Sequence, residues 1–312
     1  MNNTSRFTIP LALLTSALFV VDAALAQTQI DTQVRSQETL KKAETSLDDS
    51  IGWGFEEDEE FGALVVMKEA KDWWITPRVG GRFYWTSNAF LSDRNEKGDA
   101  IFVETQGITT GYRITRDWRV QAGYAYEMVR YNTYPFLDVD SHATDFCTVY
   151  QLPWSIQASA GVRFLWLEAP RVDDEIYSEC APFLNLSQNH YFCDGRLTAF
   201  YGYEFSRRLA DIHAFDRDEH MLFAGVSYAW RDDLVSTLMH RETIQLYEVT
   251  LPNQADCREE WNHTVTFQTV WQPLNWLQVS GFASYNYDNS VNAFRDNHVV
   301  NTGGEIRLFY KF

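Results

Sequence analysis

From Trp73 onward, apolar and polar side chains alternate with a period of two residues, and this alternation limits the fold more strongly than any other feature. A β-strand with this pattern has two distinct faces, whereas a helix would spread the apolar side chains around its whole circumference. The clearest segment spans residues 156–166, where only Leu165 breaks the alternation. One face carries Ile156, Ala158, Ala160, Val162, Phe164 and Trp166, and the other carries Gln157, Ser159, Gly161 and Arg163.

The same alternation recurs at residues 118–128, 197–205, 222–230 and 265–271. Together these segments predict about twelve strands between Trp73 and Phe312, each near the roughly 9 to 11 residues that a tilted membrane strand requires. Two of the predicted strands, near residues 209–215 and 234–247, are weakly patterned.

The connections between strands are predicted to alternate between short and long. Short turns are predicted at residues 115–117, 152–154, 206–208, 231–233 and 272–274, and longer polar stretches at 87–99, 132–142, 169–190, 248–260 and 288–297. This sorting is typical of an up-and-down barrel, in which tight turns face the periplasm and long loops face the exterior, and a soluble sandwich has no reason to show it. We therefore predict an all-β fold, a transmembrane antiparallel barrel of about 12 strands. An even strand number also places both ends of the barrel on the turn side.

Composition excludes several other classes. With 45% apolar and 15% aromatic residues and only 8 prolines, the chain is neither disordered, collagenous nor a coiled coil. It has no apolar run of about 18 residues beyond its first 26, which excludes a bundle of transmembrane helices. The net charge is 26 − 43 = −17, so phosphate backbones would repel the chain and we expect no nucleic-acid partner.

The residues before the barrel predict two further segments. Residues 1–26 have the basic start, apolar stretch and Ala24-Leu25-Ala26 end of a signal peptide. Residues 27–72 are predicted to be a periplasmic extension with a short helix and an acidic linker, and they are a candidate plug for the barrel formed by residues 73–312. Eight acids without one base lie between Glu44 and Glu60, a pattern usual for a solvated linker.

The last predicted strand adds a motif. It resembles the final strand of bacterial outer-membrane β-barrel proteins, which carries an assembly signal of the form polar-x-Gly-x-x-apolar-x-apolar before an aromatic end. The matching residues are Asn301, Gly303, Ile306, Leu308, Tyr310 and Phe312. Residues 83–91 also resemble the first strand and following loop of β-barrel porins. The resemblance implies a location in the bacterial outer membrane, contact with its lipid, and insertion by the barrel assembly machinery.

If the apolar faces contact lipid, the charged side chains of the strands line the lumen. The predicted pore-lining residues are Arg78, Arg82, Arg113, Arg119, Arg163, Arg196, Arg307, Glu127, Glu204 and Glu305. A water-filled pore uses such charges to select solutes. Alternatively, Arg and Glu on neighbouring strands pair and close the lumen, because barrels of this size are narrow.

Four cysteines in an exported chain permit disulfides. We predict a bridge between Cys180 and Cys193, with Cys147 to Cys257 as a weaker second pairing. No cysteine or histidine spacing indicates a metal site, and we expect no cofactor.

These observations favour a non-enzymatic porin-like pore through which small hydrophilic solutes diffuse passively. A closed structural or partner-binding barrel is the first alternative. A hydrolase at the barrel rim is the second, since a carboxylate beside a histidine can act in acid–base catalysis. Its candidate residues are Asp211, His213, Asp216, Asp218 and His220.

Overall fold

A computed structural model describes residues 72–93, 96–170, 174–248, 258–290 and 296–312 of the chain. The predicted signal peptide at 1–26 and the predicted extension up to residue 71 lie outside the described residues, as does Cys257.

The described residues form one closed antiparallel barrel of twelve strands, as predicted. Each strand pairs with its neighbours in sequence, and the first and last strands pair with each other to close the sheet. The strands are β1 (Trp73–Thr86), β2 (Asp99–Thr115), β3 (Trp118–Tyr131), β4 (Val139–Leu152), β5 (Ile156–Ala169), β6 (Asp174–Phe192), β7 (Leu197–Ala210), β8 (Arg217–Arg231), β9 (Leu234–Tyr247), β10 (Glu259–Leu274), β11 (Leu277–Ser290) and β12 (Asn297–Phe309).

The connections differ between the two ends of the barrel. At one end, called the turn side here, two to four residues join β2 to β3, β4 to β5, β6 to β7, β8 to β9 and β10 to β11. The opposite end, the loop side, carries longer connections, including the one at 87–98 and two with a 3₁₀ turn, at Pro135–Leu137 and His213–Phe215. The start of β1 and the end of β12 lie together on the turn side.

Two predicted connections and one predicted strand are wrong between residues 169 and 215. The stretch 169–190, predicted as a loop, is mostly β6, and the turn predicted at 206–208 lies inside β7. The weak strand predicted at 209–215 is instead the end of β7 and a loop. The true turn joins β6 to β7 at residues 193–196, where Asp194 and Gly195 adopt positive φ angles of 55° and 84°.

The predicted disulfide between Cys180 and Cys193 is also wrong, because both residues are free thiols. Cys180 lies within β6, and Cys193 lies in the turn after that strand. The 193 − 180 = 13 residue steps between them span about 43 Å of extended chain, whereas bridged Cα atoms are usually within about 7 Å. Cys147 is free as well.

The outer face of the barrel is apolar. Large apolar side chains such as Phe83, Leu186 and Leu222 are exposed along the strands, while the alternate residues are mostly buried or half-buried. Near the turn side this surface is rich in aromatic rings, a usual interfacial anchor. That group includes Trp73, Tyr112, Trp118, Tyr150, Tyr228, Trp230, Trp271 and Tyr310.

Among the described residues, no helix is both long enough and apolar enough to cross a membrane.

The two faces of β5 provide a test of this orientation. We expect Ala160→Arg, on the outer face, to lower the free energy of unfolding from lipid vesicles by about 2 to 4 kcal/mol, because it puts a charge into hydrocarbon. Ser159→Arg is the matched control, since the neighbouring side chain faces the lumen. Urea titration followed by gel mobility measures both, and an equal loss for the two variants would contradict the orientation.

Candidate functional site in the barrel lumen

The inward faces of the strands carry the charged residues. Nine of the ten predicted pore-lining residues lie on inward faces: Arg78 and Arg82 on β1, Arg113 on β2, Arg119 and Glu127 on β3, Arg163 on β5, Glu204 on β7, and Glu305 and Arg307 on β12. Arg196 does not, because it lies exposed in the turn between β6 and β7. The role of the nine in solute passage stays a prediction.

Glycines occupy the inward positions near the middle of seven of the described strands. They are Gly80, Gly107, Gly123, Gly161, Gly202, Gly225 and Gly303. Side chains of adjacent strands lie across several of them: Asp145 covers Gly123, and the rings of Phe223 and Phe200 cover Gly202 and Gly225. A Cβ atom at these three glycines would collide with the side chain above it. The glycines therefore let long side chains lie flat along the wall instead of pointing toward the barrel axis.

Arg163 and Glu204 form an ion pair that spans β6, which separates their strands. Two hydrogen bonds join the guanidinium to the carboxylate, Nη1 to Oε1 at 2.5 Å and Nη2 to Oε2 at 3.0 Å. Asn185 of β6 donates a further bond to Glu204 Oε2 at 3.4 Å. The guanidinium also stacks on the ring of Phe183, 3.9 Å from its centroid. A bidentate pair of this kind fixes both side chains against the wall.

A second charged group lies where β1 meets β12. Glu305 accepts a hydrogen bond from Arg307 Nε at 3.1 Å and lies 3.6 Å from a guanidinium nitrogen of Arg82. One carboxylate thus contacts two arginines.

The largest group, which we call the loop-side network, was not predicted. It runs from β6 to β10 around the loop-side end of the lumen and consists of Tyr177, Glu179, Arg208, Arg217, Glu219, Gln245, Tyr247, Arg258 and Glu260. Acidic and basic side chains are interspersed in it, and most of its side chains are buried.

Arg208 is at the centre of this network. Its guanidinium donates to Glu179 Oε1 at 2.6 Å and to Glu219 Oε1 at 3.1 Å. Glu179 also accepts from the Tyr177 hydroxyl at 2.7 Å, and Glu219 from Gln245 at 2.9 Å. Both carboxylates therefore have several donors, as buried charges require.

Two further arginines extend the network to β10. Arg258 donates to Glu260 at 2.7 Å and stacks on the ring of Tyr247, 4.0 Å from its centroid. The guanidinium of Arg217, which is completely buried, lies 5.5 Å from the centroid of the same ring and donates to the Phe215 carbonyl at 3.2 Å. This end of the lumen is thus lined by guanidinium groups held in fixed positions.

The sequence conceals this network because five of its nine residues fall in stretches that are predicted to be connections. Glu179 lay in a predicted loop, Arg208 in a predicted turn, and Arg258 and Glu260 in another predicted loop, so none was assigned to a strand face. The Asp194-Gly195 pair is a strong hairpin signal between alternating segments. It would have placed Glu179 and Arg208 on strands.

The opposite side of the loop-side end is apolar. Here inward side chains of β1 to β6, including Tyr84, Ile101, Val129 and Leu167, form one buried cluster. Three loop residues, Ala89, Leu137 and Phe215, join this cluster, and the Phe215 ring meets Tyr177 edge-on at 5.5 Å. The loops thus pack inward, and the lumen is narrowed at this end by apolar packing on one side and charges on the other.

The candidate rim residues do not meet in one site. Asp211 and Asp216 accept backbone hydrogen bonds from Ser178 and Ala210, which shape the loop, and Asp216 also contacts the exposed His213 at 3.0 Å. Asp218 and His220 instead lie on the outer face of β8.

The side-chain contacts of Asp218 and His220 also hold neighbouring strands together. Asp218 pairs with Arg207 at 2.9 Å, and His220 bonds the Tyr203 hydroxyl at 2.7 Å. In the part of the chain that the structure describes, no three His, Cys, Asp or Glu side chains are placed to hold a metal ion.

The pair of Arg163 and Glu204 provides a stability test. We expect Arg163→Ala to destabilise the barrel by about 2 to 3 kcal/mol, because Glu204 is only 5% exposed and would keep an uncompensated charge. The double variant Arg163→Met/Glu204→Leu should recover most of this loss. Urea titration measures both, and a double variant as unstable as Arg163→Ala would show that the buried charge is not the cause.

Comparison with known proteins supports the fold. No protein-family model matches the chain, and neither does any curated protein. An outer membrane channel from Pseudomonas putida F1 is similar in structure, with 11% identity, coverage of 80% of this chain and 100% of that chain, and a TM-score of 0.53.

Two other solved structures match with lower scores. The translocator domain of the autotransporter NalP from Neisseria meningitidis has 10% identity, covers 89% of this chain and 97% of its own, and has a TM-score of 0.48. An anion-selective porin from Comamonas acidovorans has 10% identity, covers 76% of this chain and 98% of its own, and has a TM-score of 0.40. The closed twelve-strand sheet and its match to the Pseudomonas channel show that this chain has the fold of an outer-membrane β-barrel protein.

Proposed function

We propose that the protein is a pore of the bacterial outer membrane through which small hydrophilic solutes diffuse passively. The proposal depends on the character of the lumen. Its wall carries polar or charged side chains on nearly every strand, whereas the outer face of the barrel is apolar. Such a wall suits water and polar solutes, because they can exchange hydrogen bonds with it during passage.

The glycines near the middle of the strands support an open channel. Aromatic and acidic side chains lie flat over them, which keeps these groups away from the barrel axis. The narrow section is then the loop-side end, where the loop-side network faces the apolar cluster. In this proposal that section selects solutes, and a solute crosses it without any covalent step.

Two further elements of the proposal come from comparison. The similar structure from Pseudomonas putida F1 is described as an outer membrane channel, which fits a pore. The last strand matches the assembly signal of outer-membrane barrels at Asn301, Gly303, Ile306 and Leu308, so we propose that the barrel assembly machinery inserts this chain.

A closed structural barrel is the second candidate function. It is favoured by the same loop-side end, where Arg217 and much of the apolar cluster are almost inaccessible to solvent. The two functions differ in a single measurable property, because a closed barrel conducts no ions.

Planar-bilayer recording tests the pore directly. We expect stepwise conductance from the purified protein, and we expect Ser159→Trp to reduce the step several-fold because the ring occupies the lumen. Ala160→Trp, on the lipid side of the same strand, is the matched control and should conduct like the parent chain. An electrically silent parent chain, folded by gel mobility, would favour the closed structural barrel.

A further inference from the structure

Uncharged polar side chains form a stripe along the inner wall of β10, β11 and β12. The alternation of β10 places amides and hydroxyls inside and large side chains such as Trp261 and Phe267 outside. We call this stripe the polar track, and it consists of Asn262, Thr266 and Gln268 on β10, Ser284 and Asn286 on β11, and Asn301 on β12. From Asn262 to Gln268 it extends over 268 − 262 = 6 residue steps, about 20 Å along the strand. It leads from the loop-side end toward the middle of the barrel.

The register of the three strands brings the members of the track side by side. Thr266 is paired with Ser284, and Ser284 in turn with Asn301. Gln268 lies one inward position nearer the turn side, and Asn286 lies one inward position nearer the loop side. The track therefore offers polar groups at successive depths of the lumen.

The border of the track carries charges of both signs. Arg241, on the neighbouring strand β9, is buried and has interactions of its own. Asp288, on β11, accepts hydrogen bonds from the side-chain amides of Asn262 and Asn297. One positive and one negative side chain leave no net charge at this border, so the track does not attract ions of either sign.

Four side chains of the track have polar atoms with no hydrogen-bond partner among the residues that the structure describes. These atoms are Oγ1 of Thr266, Oε1 of Gln268, Oδ1 of Asn301, and both Oδ1 and Nδ2 of Asn286. None of the four side chains is more than 5% exposed. Such atoms are rare in folded proteins, because a buried polar group without a partner costs free energy. The track is therefore short of partners that a ligand in the lumen can supply.

The chemistry of these atoms selects the class of ligand. Three are amide oxygens, which only accept hydrogen bonds, one is an amide nitrogen, which only donates, and one is a hydroxyl oxygen, which does both. An anion would meet too few donors here. A sugar hydroxyl both donates and accepts, so it matches every one of these atoms. The half-buried ring of Phe282, paired with Gln268 and Gly303, adds apolar surface for the C–H groups of a sugar.

We propose that the polar track binds uncharged sugars and polyols, an inference that rests on the proposed pore and names its solute class. A solute exchanges its hydrogen bonds from one depth of the track to the next. Several weak sites in a row allow both entry and release, as conduction requires.

Saturation-transfer NMR with sucrose tests binding without reference to conductance. The full chain is folded in a detergent that has no sugar headgroup, and the signal transferred from protein to sucrose is measured. We expect Gln268→Leu/Asn286→Leu to reduce this signal several-fold, because it removes three of the five unpartnered atoms. The loss of buried atoms that have no partner should leave the barrel folded, which gel mobility checks.

The matched control is Gln157→Leu/Gln278→Leu, which also removes two inward amides, on β5 and β11, but outside the track. It should bind sucrose like the parent chain. Thr266→Val, which only replaces an unpartnered hydroxyl by a methyl group, should reduce the signal less, and it keeps the test decisive if the double variant does not fold. Equal sucrose signals from the parent chain and the track variants would overturn the proposal. So would a gluconate signal as strong as that of sucrose and lost in the same variants, since it would indicate an anion site.

Planar-bilayer recording then relates the track to the pore. Sucrose should interrupt the current of the parent chain more often than that of Gln268→Leu/Asn286→Leu. A silent parent chain that still binds sucrose through the track would contradict the pore and leave the sugar site supported. A conducting parent chain that sucrose affects no more than the double variant would contradict the track and leave the pore supported.

Discussion

The fold depends on one constraint, the need to satisfy every backbone hydrogen bond in a medium without water. An open sheet in hydrocarbon would leave two edges unpaired, and each unpaired group would cost several kcal/mol. Pairing of β1 with β12 removes both edges and closes the twelve strands into a cylinder. Once the cylinder is closed, the period-two pattern directs alternate side chains to lipid and to the lumen. The apolar exterior and charged interior are thus two consequences of the same closure.

Much of the fold could be predicted because it follows from this local alternation. The strand number, the closed topology, the sorting of most turns and loops, and the lipid-facing side chains of β5 and β12 all come from residues that are neighbours in sequence. The errors arise where the alternation is interrupted. Pro182 in β6 and the pair Arg207-Arg208 in β7 resemble turn residues, yet both lie within strands. The Asp194-Gly195 turn between these strands was the signal that would have corrected both.

The site was harder to predict because its contacts join distant residues. Sequence alone assigns Arg163 and Glu204 to the inner face, but it does not show that they meet across β6. The loop-side network requires the register of five strands, and its pairs are separated by up to 217 − 179 = 38 positions, as between Glu179 and Arg217. Inward packing of Leu137 and Phe215 is a tertiary effect that no local pattern encodes.

The central claim is that the two faces of each strand contact different solvents, and spin-label accessibility along β5 in lipid vesicles measures this most directly. Single cysteines from Ile156 to Phe164, introduced after replacement of the native cysteines, would carry the nitroxide, because Leu165 and Leu167 lie in the buried apolar cluster. The account predicts that collisions with oxygen, which dissolves in lipid, peak at even-numbered positions. Collisions with a water-soluble nickel complex should peak at odd-numbered positions, which face the lumen. Oxygen and nickel accessibilities that rise and fall together, or that lack a period of two, would contradict it.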